Sequence, residues 1–264
     1  MKKRILSIMI ILIMVLSAAG CGKKDDSDRL TKIKDAGKIV IAMEGQWAPW
    51  TYHDESGALV GFDTEVDKAI AAKLGVEAEF IEGEWDGLFV GLDSGKYDLI
   101  INGVEINDER KQKYDFTTPY AYDSTVLIVT KDNSTIKSFA DLKGRTTSNS
   151  LGSTYADLAA DYGASVQNVD TLAETISMIL SGRAEATLNS ETSFYDYMKE
   201  HPDENIMIVD KTPEAAQIAI PIVKGDNAKA LVDAINKAID DLRKDGTLKK
   251  LSEKYFGGDI TAAR

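Results

Sequence analysis

The chain has 264 residues, with 31 Lys and Arg against 43 Asp and Glu, a formal net charge of −12, two histidines and a single cysteine. An acidic balance with no basic stripe excludes nucleic acid as a partner, because phosphates would be repelled, and one cysteine excludes a disulfide within the chain. His53 and His201 lie far apart in sequence, so neither a metal-ligand cluster nor a cofactor is expected.

Lys2, Lys3 and Arg4 precede an apolar run from Ile5 to Ala19, which ends in small residues before Cys21. A membrane-crossing helix needs about 20 apolar residues, so this shorter run reads as a removable secretory signal over residues 1–20. The segment Leu16-Ser17-Ala18-Ala19-Gly20-Cys21 resembles the bacterial lipobox, with Ala18 standing where the pattern prefers Leu. The resemblance implies that Cys21 is lipidated and holds an exported protein on the extracytoplasmic side of a membrane. Loss of residues 1–20 removes three basic groups and no acidic one, taking the net charge from −12 to −15. Attachment by lipid is then expected rather than attraction to anionic headgroups. Gly22 to Asp28 carries no apolar side chain and reads as a flexible tether, with the folded part beginning near Leu30; residues 21–35 are taken as the lipidated tether segment.

About 230 residues remain, enough for two modest lobes or one large domain. Gly37 to Met43 reads as a buried strand leading into a loop with Trp47, Pro49 and Trp50, and residues 51–60 as a hairpin turning at Ser56-Gly57. Phe62 to Leu74 has the period of an amphipathic helix closed by Gly75. A strand over 76–81, a short helix over 85–92 and a strand over 98–101 complete an α/β series. After a strand at 124–130 a second series follows: a helical Phe139 to Leu142, a strand toward Thr147, a helix over 154–162, a strand over 166–169, a helix over 173–180 and a strand over 186–189. A last strand is expected at 218–223, then helix from Asn227 to Phe256. The predicted architecture is α/β, with residues 36–126 and 220–264 in one lobe, 127–219 in the other, and two strands as hinge. Ligands of such sheets bind outside the carboxyl ends of the strands, here between the lobes.

At Gly61-Phe62-Asp63, Glu109-Arg110 and Tyr114-Asp115-Phe116-Thr117-Thr118-Pro119-Tyr120, the chain resembles the extracellular solute-binding proteins of polar amino-acid ABC importers. Asp245-Gly246-Thr247-Leu248 and Lys254-Tyr255-Phe256-Gly257 fit the same pattern, and the order and spacing of the motifs carry the likeness over residues 36–260. Ser148 to Tyr155, with Phe194 to Tyr197, is most similar to the cystine-binding branch. The resemblance implies a periplasmic-binding-protein-like fold that closes on a hinge around its ligand. It also implies ABC permease subunits as partners, a monomeric state and no catalysis.

An amino acid presents a carboxylate, an ammonium and a variable side chain. Arg110 matches the family's carboxylate-binding arginine, and a guanidinium meets a carboxylate with two parallel hydrogen bonds. Ser150, Gly152, Ser153 and Thr154 precede or open a predicted helix whose N-terminal amides offer further donors. Trp47 and Trp85 match the aromatic positions that flank the ligand side chain, and Glu44 lies in the loop that reads it. The family's usual acidic residue for the ammonium falls on Ser190, which carries no charge, whereas Glu105 stands where Ser or Thr is usual. Glu105 is therefore expected to supply the anion, beside carbonyls of Asn102 and Gly103. A solvent-facing Glu105, a register shift to Glu191 and a ligand other than an α-amino acid are the alternatives.

Two other functions stay open at this stage. One is a cyclohexadienyl or arogenate dehydratase on the same fold, with Glu105 as catalytic acid; the other is a surface lipoprotein that senses its ligand instead of passing it on. A lipid anchor favours capture. Which amino acid is held, and whether the membrane is that of a Gram-positive surface or a Gram-negative envelope, is not written in the sequence.

Overall fold

The computed structural model describes residues 28–262. The expected signal, Cys21 and the first part of the tether lie outside these residues. Within them the tether's remainder is helical: α1 (Arg29–Ala36) is capped by the Asp28 side chain, which accepts from the Thr31 amide at 3.0 Å, and ends at Gly37. Leu30 and Ile33 give this polar segment one apolar stripe, and Ile33 enters the core at 3% exposure. The Arg29 amide also donates to the Asn227 carbonyl at 3.1 Å. The folded part thus begins at Arg29, close to the expected Leu30, and takes in the last residues of the segment assigned to the tether.

Strand β1 (Lys38–Met43) is followed by β2 (Gln46–Trp47), β3 (Thr51–His53) and β4 (Leu59–Val60), then α2 (Phe62–Leu74), β5 (Glu77–Glu82), α3 (Trp85–Asp93) and β6 (Leu99–Ile100). β1 is the centre of a parallel sheet ordered β5-β1-β6. Ile39, Ile41 and Met43 face one cluster and Ala42 the other, the period-two alternation that a strand covered on both faces requires. A short helix missed in the sequence, α4 (Asp108–Lys113), is capped by the Asn107 side chain. The chain continues through β7 (Tyr114–Phe116) and β8 (Ala121–Asp123) into β9 (Thr125–Thr130).

The second lobe contains the 3-10 turn Phe139–Leu142, β10 (Thr146–Asn149), α5 (Thr154–Asp161), β11 (Ser165–Asn168), α6 (Leu172–Leu180), β12 (Thr187–Ser190), α7 (Glu191–Glu200) and β13 (Ile206–Lys211). β10 and β11 run parallel, while β9 lies between β12 and β13 with antiparallel partners on both sides. Val126 and Ile128 pack under α6 and α7, and Leu127 and Val129 pack against Ala159 and Phe139 on the opposite face.

The expected strand at 218–223 is two strands, β14 (Ala216–Ile218) and β15 (Pro221–Val223), because the chain changes partner from β8 to β7 at Ala219-Ile220. The expected terminal helix is likewise two, α8 (Lys229–Lys244) and α9 (Thr247–Phe256), divided where Gly246 takes φ 81°. Leu231, Ile235, Ala238, Ile239 and Leu242 lay the apolar face of α8 on the first lobe's core. Sheet pairing changes lobe between β8 and β9 and between β13 and β14. The lobe limits read from the sequence, 126/127 and 219/220, differ from these by a few residues, since β9 pairs along its whole length with β12 and β13.

Candidate functional site

The cleft between the lobes holds about 580 Å³ of space free of protein atoms, part of it open to solvent. Ten of the twelve residues expected to bind ligand line it: Glu44, Trp47, Trp85, Asn102 and Gly103 after the strand ends of the first lobe, Glu105 and Arg110 beyond them, and Ser150, Ser153 and Thr154 from the second.

Arg110 is buried, at 8% exposure. Its guanidinium lies 5.3 Å from the ring centroids of both Trp85 and Phe89, donates through Nη1 to the Glu105 carbonyl at 2.9 Å, and reaches across the cleft through Nη2 to the Gly152 carbonyl at 3.2 Å. Aromatic faces and carbonyls fix the plane of the guanidinium while leaving further N–H donors in place. The Gly152 carbonyl is thus held by Arg110, and Gly152 itself is not part of the cleft lining. Ser153 also departs from expectation: its amide and hydroxyl both donate to the Ser150 carbonyl, and its Oγ accepts from the Ala156 amide as the cap of α5.

Glu105 has its carboxyl in the cleft. Burial raises its pKa; a hydrogen bond with Thr154 and the charge of Arg110 oppose the rise, and Asp123 adds to it. Glu191 is engaged elsewhere, in an ion pair with Lys211 at 3.1 Å. Ser190 is the clear correction. It is 2% exposed and behind the cleft wall, where its hydroxyl donates to Asp123 and accepts from the Ser193 amide to cap α7. Neighbouring residues of a strand face opposite ways, so Asn189 rather than Ser190 lines the cleft.

Glu44 and Asn102 form a two-point clasp: the Glu44 amide donates to Asn102 Oδ1 at 2.8 Å, and Asn102 Nδ2 donates to Glu44 Oε2 at 2.6 Å. The Asn102 carbonyl oxygen expected to face the ligand is thus already engaged. Burial pushes the Glu44 carboxyl up to about 7, against the Asn102 hydrogen bond and with help from the charge of Asp170. Gly103 has φ +57°, and a Cβ there would lie 2.4 Å from the Trp47 ring. Its amide donates to Asp63 Oδ2 at 2.6 Å, while Tyr120 donates to Oδ1 at 2.9 Å. The Gly-Phe-Asp motif thereby holds the cleft floor from below.

The two lobes are hydrogen-bonded to each other. Trp47 Nε1 donates to Asn189 Oδ1 at 3.2 Å, and Trp50 Nε1 to Thr192 Oγ1 at 3.2 Å and Ser190 Oγ at 3.4 Å. Asp123, raised to about 6 by burial, accepts from both hydroxyls. Trp47 stacks on Trp50 at 5.5 Å.

Residues 39–258 match the bacterial extracellular solute-binding proteins, family 3. The chain belongs to this family. It is 38% identical to the L-cystine-binding protein TcyA of Bacillus subtilis over 99% of its own length and 100% of that protein. Among solved structures, an ancestral arginine-binding protein bound to arginine is 38% identical with a TM-score of 0.77, covering 84% of this chain and 99% of that one. The L-cystine solute receptor of Neisseria gonorrhoeae, in its unliganded open conformation, is 39% identical with a TM-score of 0.59, covering 88% and 99%. The TM-score is higher for the arginine-bound protein than for the unliganded open receptor.

For a family 3 binding protein the sequence left part of the lining unread. Asn149 and Tyr155 lie inside the Ser148 to Tyr155 segment, so that motif carried their signal without singling them out. Asp170, Thr171, Leu172 and Thr175 stand at the carboxyl end of β11 and the start of α6, where the strand-end rule would have placed them. Gln46 follows Glu44 in the same loop.

Proposed function

We propose that the protein is the capture subunit of an ABC importer for a polar amino acid, cystine or a close analogue, and that it closes on its ligand between the lobes and delivers it to permease subunits. The observation that carries this reading is the pairing inside one cleft of a buried, aromatic-braced Arg110 with the Glu105 carboxyl. They are a cation for a carboxylate and an anion for an ammonium. An incoming carboxylate replaces the longer of Arg110's two carbonyl contacts, at Gly152, and takes further donors from the amides that open α5. Glu105 faces the ammonium, Trp47 and Trp85 bound the side chain, and Glu44 meets its far end.

The proposal includes lipidation at Cys21, a lobe division at the β8/β9 and β13/β14 crossovers, a monomer, and no catalysis. A carboxyl engaged by Thr154 and Arg110 suits a fixed countercharge better than a proton donor. A thermal-shift screen of amino acids, cystine first, tests the reading. A ligand that binds only the folded state at 100 times its Kd adds about 2.7 kcal/mol and so raises Tm by several degrees. With that ligand, Glu105→Ala is expected to weaken binding by roughly 10-fold or more; unchanged affinity by calorimetry removes Glu105 from the site. A screen in which no amino acid shifts Tm sinks the whole proposal.

A further inference from the structure

Three of the contacts that join the lobes lie in the cleft: Trp47 with Asn189, Arg110 with the Gly152 carbonyl, and Glu105 with Thr154. A ligand entering the cleft competes for the same groups. The contact made by Trp50 differs, because neither Trp50 nor its partners Ser190, Thr192 and Asp123 belong to the cleft lining.

Trp50 is fully buried in the core of the first lobe. Its ring stands edge-on to Phe62 of α2 at 5.7 Å and tilted against Phe256 of α9 at 5.0 Å, so two helices of that lobe set the direction of the indole N–H. The N–H meets Thr192 Oγ1 at 3.2 Å and Ser190 Oγ at 3.4 Å, where α7 of the second lobe begins. A hydroxyl carries one proton, and both hydroxyls donate theirs to Oδ2 of Asp123. They therefore face the indole with lone pairs only. Asp123 Oδ1 accepts from the Ser124 amide at 2.8 Å, which fixes the carboxylate at the end of β8, where the chain crosses from one lobe to the other. Indole, hydroxyls and carboxylate form a donor chain in which each bond polarises the next.

Resting on capture between the lobes as the reading of the cleft, we infer that Trp50, Ser190, Thr192 and Asp123 form a lock behind the cleft that holds the lobes together and sets the affinity for a ligand none of them touches. Rotation of the second lobe away from the first carries the acceptors off a buried N–H, a group that folded proteins keep paired. The lock survives ligand entry, whereas the contacts inside the cleft are exchanged for the ligand. It therefore favours the closed form in both states, and apparent affinity follows the fraction of protein that is competent to bind. Trp50 and Thr192 are positioning residues, acting through the angle between the lobes.

Thr192→Val keeps the shape of its side chain and deletes the hydroxyl, while Trp50→Phe keeps an aromatic ring and deletes the N–H. Small-angle scattering of the ligand-free protein is expected to give both variants a larger radius of gyration than the wild type. L-cystine, titrated by calorimetry, is expected to bind each about 2- to 10-fold more weakly, with the loss appearing as faster release in stopped-flow measurements. The double variant is expected to lose less than the product of the two single losses, because both substitutions break one bond. A role confined to packing predicts a lower unfolding midpoint with scattering and affinity unchanged. For Thr192→Val, a radius or a cystine affinity equal to the wild type's overturns the inference. If L-cystine does not bind the wild type, it is the cystine reading of the cleft that fails, and the scattering comparison still decides the lock.

Discussion

Gly103 shows how tightly the cleft floor is built. Its φ of +57° and a Trp47 ring that a Cβ would approach to 2.4 Å leave room for glycine alone. Gly103→Ala is expected to cost about 1–2 kcal/mol of stability from the left-handed backbone and the displaced ring, measured by urea unfolding, and to weaken ligand binding roughly 10-fold by moving Trp47. Unchanged affinity would detach Trp47 from the ligand. Among single residues, those carried by linear motifs were legible: Arg110 beside Glu109, and Thr154 after Gly152-Ser153. Residues defined by which way a strand faces were not, and Ser190 for Asn189 is that error. Asn102 was placed in the right region with the wrong task, because sequence does not reveal that its amide closes on Glu44.

At the scale of elements, the limits of α2 were legible because glycine stands at both ends, Gly61 before Phe62 and Gly75 after Leu74. The division of β14 from β15 was not, since Ala219 and Ile220 are themselves buried and apolar and continue the pattern through the change of partner. α1 escaped notice because it has only Leu30 and Ile33 to mark it. Its packing predicts that Ile33→Ala leaves a cavity costing roughly 2–4 kcal/mol. Denaturation should register the loss while ligand affinity, titrated in native buffer, stays unchanged. A loss of affinity without loss of stability would contradict the placement of α1 away from the cleft.

At the scale of the molecule, several interior carboxyls share one tendency. Burial raises Glu44 and Asp63 to about 7 and Asp123 to about 6. Because these folded values exceed the ordinary carboxylate range, their contribution to stability is complete below about pH 4 and is lost as pH climbs toward 7. Asp245, drawn down to about 2 by Thr247 and Lys73, works in the opposite sense, but its contribution is already in place above pH 4. The ligand-free protein is therefore expected to melt at a higher temperature at pH 5.5 than at pH 8 in scanning calorimetry. Glu44→Gln should flatten that slope, and a Tm that rises with pH across the interval would refute the assignment. The two-lobe plan was legible from alternating strands and helices, whereas the closed arrangement was not, because Trp50, Thr192 and Asp123 meet only in three dimensions.

The docking of α1 ties the start of the described chain to one half of the molecule. Asp28 caps a helix whose Ile33 is seated in the first lobe's core and whose first amide is bound to Asn227 at the approach to α8. Among the described residues, the chain at residue 28 is joined through that helix to the first lobe. On the proposed attachment at Cys21, the first lobe is the jaw held near the membrane, and closure on a ligand is expected to bring the second lobe to it.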